Sequence, residues 1–122
     1  MTDQEIFSST YIAFVYDNEP WGMDAGKCSY YGGCAIGRCI GSSELALLMD
    51  ESGLDLDEML SPLNGIPEVR ELFANNNHVL LRQMQQCHDN SADADSRLYY
   101  AEMSLRIAID FGLEIPENPY DH

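Results

Sequence analysis

Positive charge is what this sequence has least of: six Lys and Arg stand against 21 Asp and Glu, a formal net charge of −15. Binding to nucleic acid draws on counterion release at the phosphates, and a chain this acidic brings like charge to them. Direct contact with DNA or RNA is therefore excluded as the expected activity, and anionic membranes go with it. Long apolar runs are missing too. No stretch of about 18 apolar residues exists, and Met1-Thr2-Asp3-Gln4-Glu5 has neither the cationic nor the apolar part of a secretory leader. The expectation is a soluble, cytoplasmic protein without a membrane partner. Closely spaced cysteine pairs are absent as well, since Cys28, Cys34, Cys39 and Cys87 lie at least five positions apart. In a reducing compartment they read as free thiols. Repeats, low-complexity tracts and linkers are lacking, so residues 1–122 are expected to form a single compact domain.

Enough apolar material is present to build it, with 45% hydrophobic and 10% aromatic residues. Thr2-Asp3-Gln4-Glu5 has the pattern of a capping box ahead of Ile6, Phe7, Tyr11, Phe14 and Val15, which predicts a helix to about Tyr16. The β-branched and aromatic residues of 11–16 leave a strand open for its second half. Asn18, Pro20, Gly22 and Gly26 then make a loop that carries the only tryptophan, Trp21. Gly32-Gly33 within Cys28–Cys39 suits a two-residue primed turn, which predicts a small two-stranded hairpin pairing Tyr31 with Cys34 and Cys28 with Gly37.

Further along, Ser42 and Ser43 offer caps to a short helix closed by Gly53, Asp55 to Glu58 repeats the cap-plus-Glu pattern, and Pro67 suits the first turn of another helix. Apolar spacing predicts helices from about Asn77 to Asp89 and from Ser96 to Phe111, forming an antiparallel pair. Gly112, Pro116 and Pro119 leave an irregular tail over 114–122. The expected fold class is α+β, mainly helical, with five or so short helices packed on one small β-hairpin.

Three constellations have chemistry to offer. Cys28, Cys34, Cys39, Cys87 and His88 are the residue types of a tetrahedral zinc site, but their gaps do not match close-pair spacing, and the expected hairpin sends Cys28 and Cys34 to opposite faces. Buried thiols are the expectation, with no metal and no cofactor. Cys87-His88-Asp89 holds a nucleophile, a base and an acid, yet successive helical positions lie about 100° apart. The structural alternative puts His88 near a helix C-terminus and makes Asp89 a cap for the next segment of chain. The third constellation is acidic. Asp50, Glu51, Asp55, Asp57 and Glu58 cluster along the chain and are joined by Glu68 and Glu71, with almost no Lys or Arg before Arg70. Self-repulsion on so small a body opposes folding, so solubility alone is an incomplete account. Duplex DNA carries one charge per about 1.7 Å of axis, so fifteen charges match about 26 Å of duplex. That is close to the diameter of a domain whose radius of gyration is near 14 Å.

The combination of Cys28-x-Tyr30, then Cys34-Ala35-Ile36-Gly37-Arg38-Cys39-Ile40, then Leu81-Arg82-Gln83-Met84-Gln85-Gln86-Cys87-His88-Asp89 resembles a set of small uncharacterised phage and prophage proteins. In that set a C-x-Y…C-A-x-G-x-x-I segment is followed, after an acidic middle, by Q-x-x-H-D. The resemblance spans residues 28–112. It implies a virus or mobile element as origin, and with it an inhibitor of a host nuclease or CRISPR effector. Together with the charge, the expected function is a non-catalytic inhibitor whose DNA-mimicking acids pair with the basic groove of a host nucleic-acid-binding protein. Two rivals stand beside it. One is an aromatic interaction patch using Trp21, Tyr30 and Tyr31, with Tyr99 or Tyr100; the other is a zinc or thiol module on Cys34, Cys39, Cys87 and His88.

Overall fold

Thr2 and Glu5 exchange hydrogen bonds, the Glu5 N–H donating to Thr2 Oγ1 at 3.1 Å and the Thr2 N–H to Glu5 Oε1 at 2.9 Å. This capping box starts helix α1, Asp3–Tyr11, in a computed structural model that describes residues 1–24 and 27–120. The strand left open for residues 11–16 does not form. Ile12–Tyr16 continues as a π-helical turn, with the Asp17 N–H donating to the Ile12 carbonyl at 2.8 Å. The wider turn keeps Ala13 and Phe14 in the core.

The middle of the chain is a series of short, well-capped helices. Helix α2, Ser43–Ser52, begins where Ser42 Oγ accepts from the Leu45 N–H. Helix α3, Leu56–Met59, is only four residues long and owes its start to the reciprocal pair Asp55 and Glu58. Helix α4, Pro67–Leu72, has proline in its first turn, where the missing N–H would have had no helical partner.

Helices α5, His78–Ala94, and α6, Arg97–Phe111, are joined through Asp95 and Ser96 and pack against each other as an antiparallel pair. Helix α5 runs five residues beyond the expected end at Asp89. Ser91 Oγ turns back onto the Cys87 carbonyl at 2.6 Å, and Asp95 closes the helix in left-handed backbone at φ 49°. His88 is therefore in the body of the helix rather than at its C-terminus. Asp3 ties the start of α5 to α1, accepting from Asn76 Nδ2 at 2.8 Å and from the Asn77 N–H at 3.2 Å. The tail lies back on the same end: Gln4 exchanges two hydrogen bonds with the Glu114 backbone, and the Tyr16 hydroxyl donates to the Pro116 carbonyl.

The expected β-hairpin does not form, and the α+β expectation is corrected to a helical domain. Residues 30–33 and 35–36 are turns, and Gly37–Cys39 is a short 3-10 turn. Both primed turns need positive φ at their first central residue, and of the Gly32-Gly33 pair only the second, Gly33, has it. Two of the N–H groups that the ladder would have used, those of Tyr31 and Ile36, are taken by side chains from elsewhere. Asp50 accepts from the Tyr30 and Tyr31 N–H groups, and Gln85 Oε1 from the Ile36 N–H. Gly37 lies so close to the Tyr30 backbone that a Cβ there would collide with it. The one extended pairing among the described residues sets Met23 opposite Cys28 and Asp24 opposite Lys27, two residues a side, which is too short to count as a sheet.

One cluster of buried side chains joins these elements. Its largest fully buried members include Phe7, Phe14, Phe73, Met49, Met59 and Leu81. No helix among the described residues is long and apolar enough to cross a membrane.

Candidate functional site

The acidic residues singled out from the sequence separate into different roles once folded. Asp50 is a structural anchor: its carboxylate accepts from the Tyr30 N–H at 2.7 Å, the Tyr31 N–H at 3.1 Å and the Ser29 hydroxyl at 3.2 Å. Asp55 and Glu58 form the cap of α3, and both are exposed. Asp57 meets Arg82 of α5 at 3.1 Å in a solvent-exposed ion pair. Glu51, Glu68 and Glu71 are exposed.

The end of α2, the turn into α3 and one face of α5 enclose a cleft of about 540 Å³. Asp50 and Asp55 line one side of it, and Asp89 and Asp93 the other, with Tyr30, Gln85 and Asn90 as the further polar groups. Among the described residues its lining includes no Lys or Arg. Burial pushes the Tyr30 phenol well above its ordinary value, and the charges of Asp89, Asp55 and Asp50 push it further the same way. The phenol therefore stays a hydrogen-bond donor beside a ring of acceptors. Asp89 and Asp93 were not among the acids expected to bind, because more than 30 residues separate them from Asp55. The signal available was their spacing, since Gln85, Asp89 and Asp93 fall four apart on one face of a helix.

The two motif segments that carry the resemblance meet at Gln85. Its Oε1 accepts from the Ile36 N–H at 3.2 Å, and its Nε2 donates to Asp89 Oδ1 at 2.9 Å. Asp89 Oδ1 also lies 3.0 Å from His88 Nδ1, so these adjacent residues do join, contrary to the 100° argument, because the carboxylate reaches back along the helix. His88 is fully buried and its Nε2 makes a short hydrogen bond to the Trp21 carbonyl. The ring is thus held between the Trp21 backbone and the Asp89 carboxylate. Cys87 does not share this arrangement. Its Sγ faces the Tyr100 carbonyl and Ser104 Oγ, and burial pushes its thiol up. The triplet thus divides between two sides of α5 and does not assemble a thiol, base and acid around one point.

The cysteines are likewise dispersed. Cys39 and Cys87 are free thiols, whereas Cys34 is disulfide-bonded, which corrects the expectation of reduced cysteines throughout. That expectation rested on compartment and took no account of which thiols the turns bring together. The Cys28 side chain lies outside the described residues, as do Asp121 and His122 of the tail. Among the described residues no three His, Cys, Asp or Glu side chains are grouped to hold a metal ion.

The aromatic residues of the rival patch do not share one open surface. Trp21 is half-buried, stacked on Phe14 at 5.5 Å between centroids, with the Arg97 guanidinium 3.7 Å from its ring centre. Its indole N–H donates to Asp95 Oδ1 at 3.1 Å. Tyr30 and Tyr100 are buried and Tyr99 is half-buried, while Tyr31 is 60% exposed. Searches against protein-family models, characterised proteins and solved structures find no match for this chain.

Proposed function

We propose that the protein is a non-catalytic inhibitor that docks its acidic side on the basic nucleic-acid channel of a host defence nuclease of the CRISPR-effector kind. The observation that carries this reading is the cleft, where carboxylates from two distant segments, Asp50 and Asp55 with Asp89 and Asp93, converge with no described cation among them. Such a concavity receives Arg or Lys side chains of a partner, while exposed Glu51, Asp57, Glu58, Glu68 and Glu71 steer the approach. Asp50 contributes indirectly, by holding residues 29–31 in place. The resemblance to phage and prophage proteins supports the choice of target, as an analogy of origin.

The test is retention of nucleases from a bacterial lysate on the immobilised protein at low and high salt, with duplex DNA as competitor. Capture that falls steeply with salt, is displaced by DNA and is lost in Asp55→Lys/Asp93→Lys supports the proposal. Capture indifferent to salt, DNA and charge reversal overturns it.

A further inference from the structure

Helix α6 carries apolar residues on the side turned away from the core, beside exposed Glu102, Arg106 and Asp110, as well as on the side turned toward it. Leu98, Leu105 and Ile109 are 70%, 49% and 72% exposed. At 100° per residue they fall within about 40° of arc, in a stripe about 17 Å long. The stripe's surroundings differ from the rest of the molecule. In a chain of net charge −15, α6 is neutral, with Arg97 and Arg106 balanced by Glu102 and Asp110, and it holds two of the six basic residues. Each of the other α-helices, α1 to α5, is net negative, so like-charge repulsion between two copies is weaker along α6 than along any of them.

We infer that α6 is a self-association surface on which a second copy of the chain docks antiparallel, about a two-fold axis near Ser104. The pattern is self-complementary about that point. Leu105 meets its own counterpart beside the axis and Leu98 faces the partner's Ile109. Glu102 and Arg106, two positions to either side of Ser104, fall on the same flank and pair reciprocally across the interface. Half-buried Ala101 leaves room for the close approach. An isologous contact of this kind closes after two copies. A single helix face is below standard interface size, so the dimer is weak and concentration-dependent. The surface is separate from the acidic cleft and does not depend on that function. Salt distinguishes the two: screening strengthens contact between two acidic copies, whereas it weakens docking of the acids on a basic partner.

Sedimentation velocity of the full chain over a range of concentrations and salt is the test. The expected mass rises from 13.7 kDa toward twice that value with concentration, and more readily at higher salt. Leu105→Lys raises the dissociation constant at least about tenfold with an unchanged circular dichroism spectrum, a loss of about 1.4 kcal/mol. Glu102→Arg and Arg106→Glu each weaken the dimer, and the double variant restores it, because exchanging both charges re-forms the reciprocal pairs across the interface. A chain that stays monomeric at millimolar concentration, a dimer untouched by Leu105→Lys, or a double variant no better than the singles overturns the inference.

Discussion

Replacing Asp50 with alanine should unfold the turn segment around Tyr30 before it affects any partner. Three donors converge on this carboxylate: the Tyr30 N–H at 2.7 Å, the Tyr31 N–H at 3.1 Å and the Ser29 hydroxyl at 3.2 Å. Tyr31 is exposed, so its N–H regains water, and the half-buried Ser29 hydroxyl turns toward solvent; each loss is about 0.5–1 kcal/mol. Tyr30 is 6% exposed, and leaving its N–H without an acceptor costs about 1–3 kcal/mol. The expected destabilisation is about 2–5 kcal/mol, a large part of the roughly 5–15 kcal/mol that holds a domain together. Asp50→Asn keeps one oxygen for the Tyr30 N–H and should lose about half as much. Urea unfolding followed by Trp21 fluorescence and by far-ultraviolet circular dichroism measures both, with the denaturant slope checked for constancy. If Asp50→Ala lies within about 0.5 kcal/mol of the parent, the assignment of Asp50 as the anchor of residues 29–31 is wrong.

Gly65→Ala should destabilise by about 2–4 kcal/mol, because a Cβ there collides with the backbone oxygens of Met59 and Ser61, which cannot swing away; a chemical-denaturation shift under 1 kcal/mol would sink this reading. Arg97→Ala removes the cation over Trp21 and a donor to the Phe14 carbonyl at 3.4 Å, for an expected loss of about 1–2 kcal/mol and a red shift of the tryptophan emission; unchanged emission would contradict the stacked geometry. Burial pushes the Cys39 thiol up to about 11 from an ordinary 9.0, so the unfolded chain releases that proton first and stability falls as pH rises from 9 to about 11. Tyr30 and Tyr100, also pushed up by burial, add to this loss only above about pH 10. Cys39→Ser should therefore reduce the slope of the stability profile between pH 9 and 10, leaving the share of Cys87, whose thiol burial also pushes up, and a slope identical to the parent's would refute the burial argument.

Helix starts were legible in the sequence because their causes are local. Thr2 with Glu5, Ser42, Asp55 with Glu58, Pro67 and Ser96 each act within one turn, and each starts a helix where expected. The hairpin failed for the opposite reason. Gly32-Gly33 is a sound local turn signal, but the competing acceptors, Asp50 and Gln85, lie 20 and 49 residues from the donors they take. The end of α5 was misplaced because polar Asn90, Ser91 and Asp93 look like a loop until Ser91 bonds back to the Cys87 carbonyl. Half of the cleft was hidden in the same way. Asp50 and Asp55 belonged to a visible acidic run, while Asp89 and Asp93 face them only once α5 packs beside α3.

That convergence has an energetic consequence that separates a docking site from an ordinary solvated surface. Asp50, Asp55 and Asp89 act on one point, the Tyr30 phenol, which their charges push in the same direction as burial does. Carboxylates close enough to share a target also repel one another, and no described Lys or Arg in the lining offsets this. On the proposed function a partner's cation relieves this repulsion, so binding and folding stability rise together, by about 2.7 kcal/mol at a hundredfold excess over the dissociation constant. Exposed Asp93 is the informative position, since Asp50 anchors a turn and Asp55 caps a helix. If the proposed function holds, Asp93→Asn stabilises the free protein by about 0.3–1 kcal/mol and weakens its hold on the basic partner. Thermal unfolding with and without that partner reads both effects on one sample. An acid that merely solvates the surface would leave both measurements unchanged, and a structural one would lower the stability of the free protein; opposite signs for folding and binding are the mark of a carboxylate held in place for a cation supplied by another molecule.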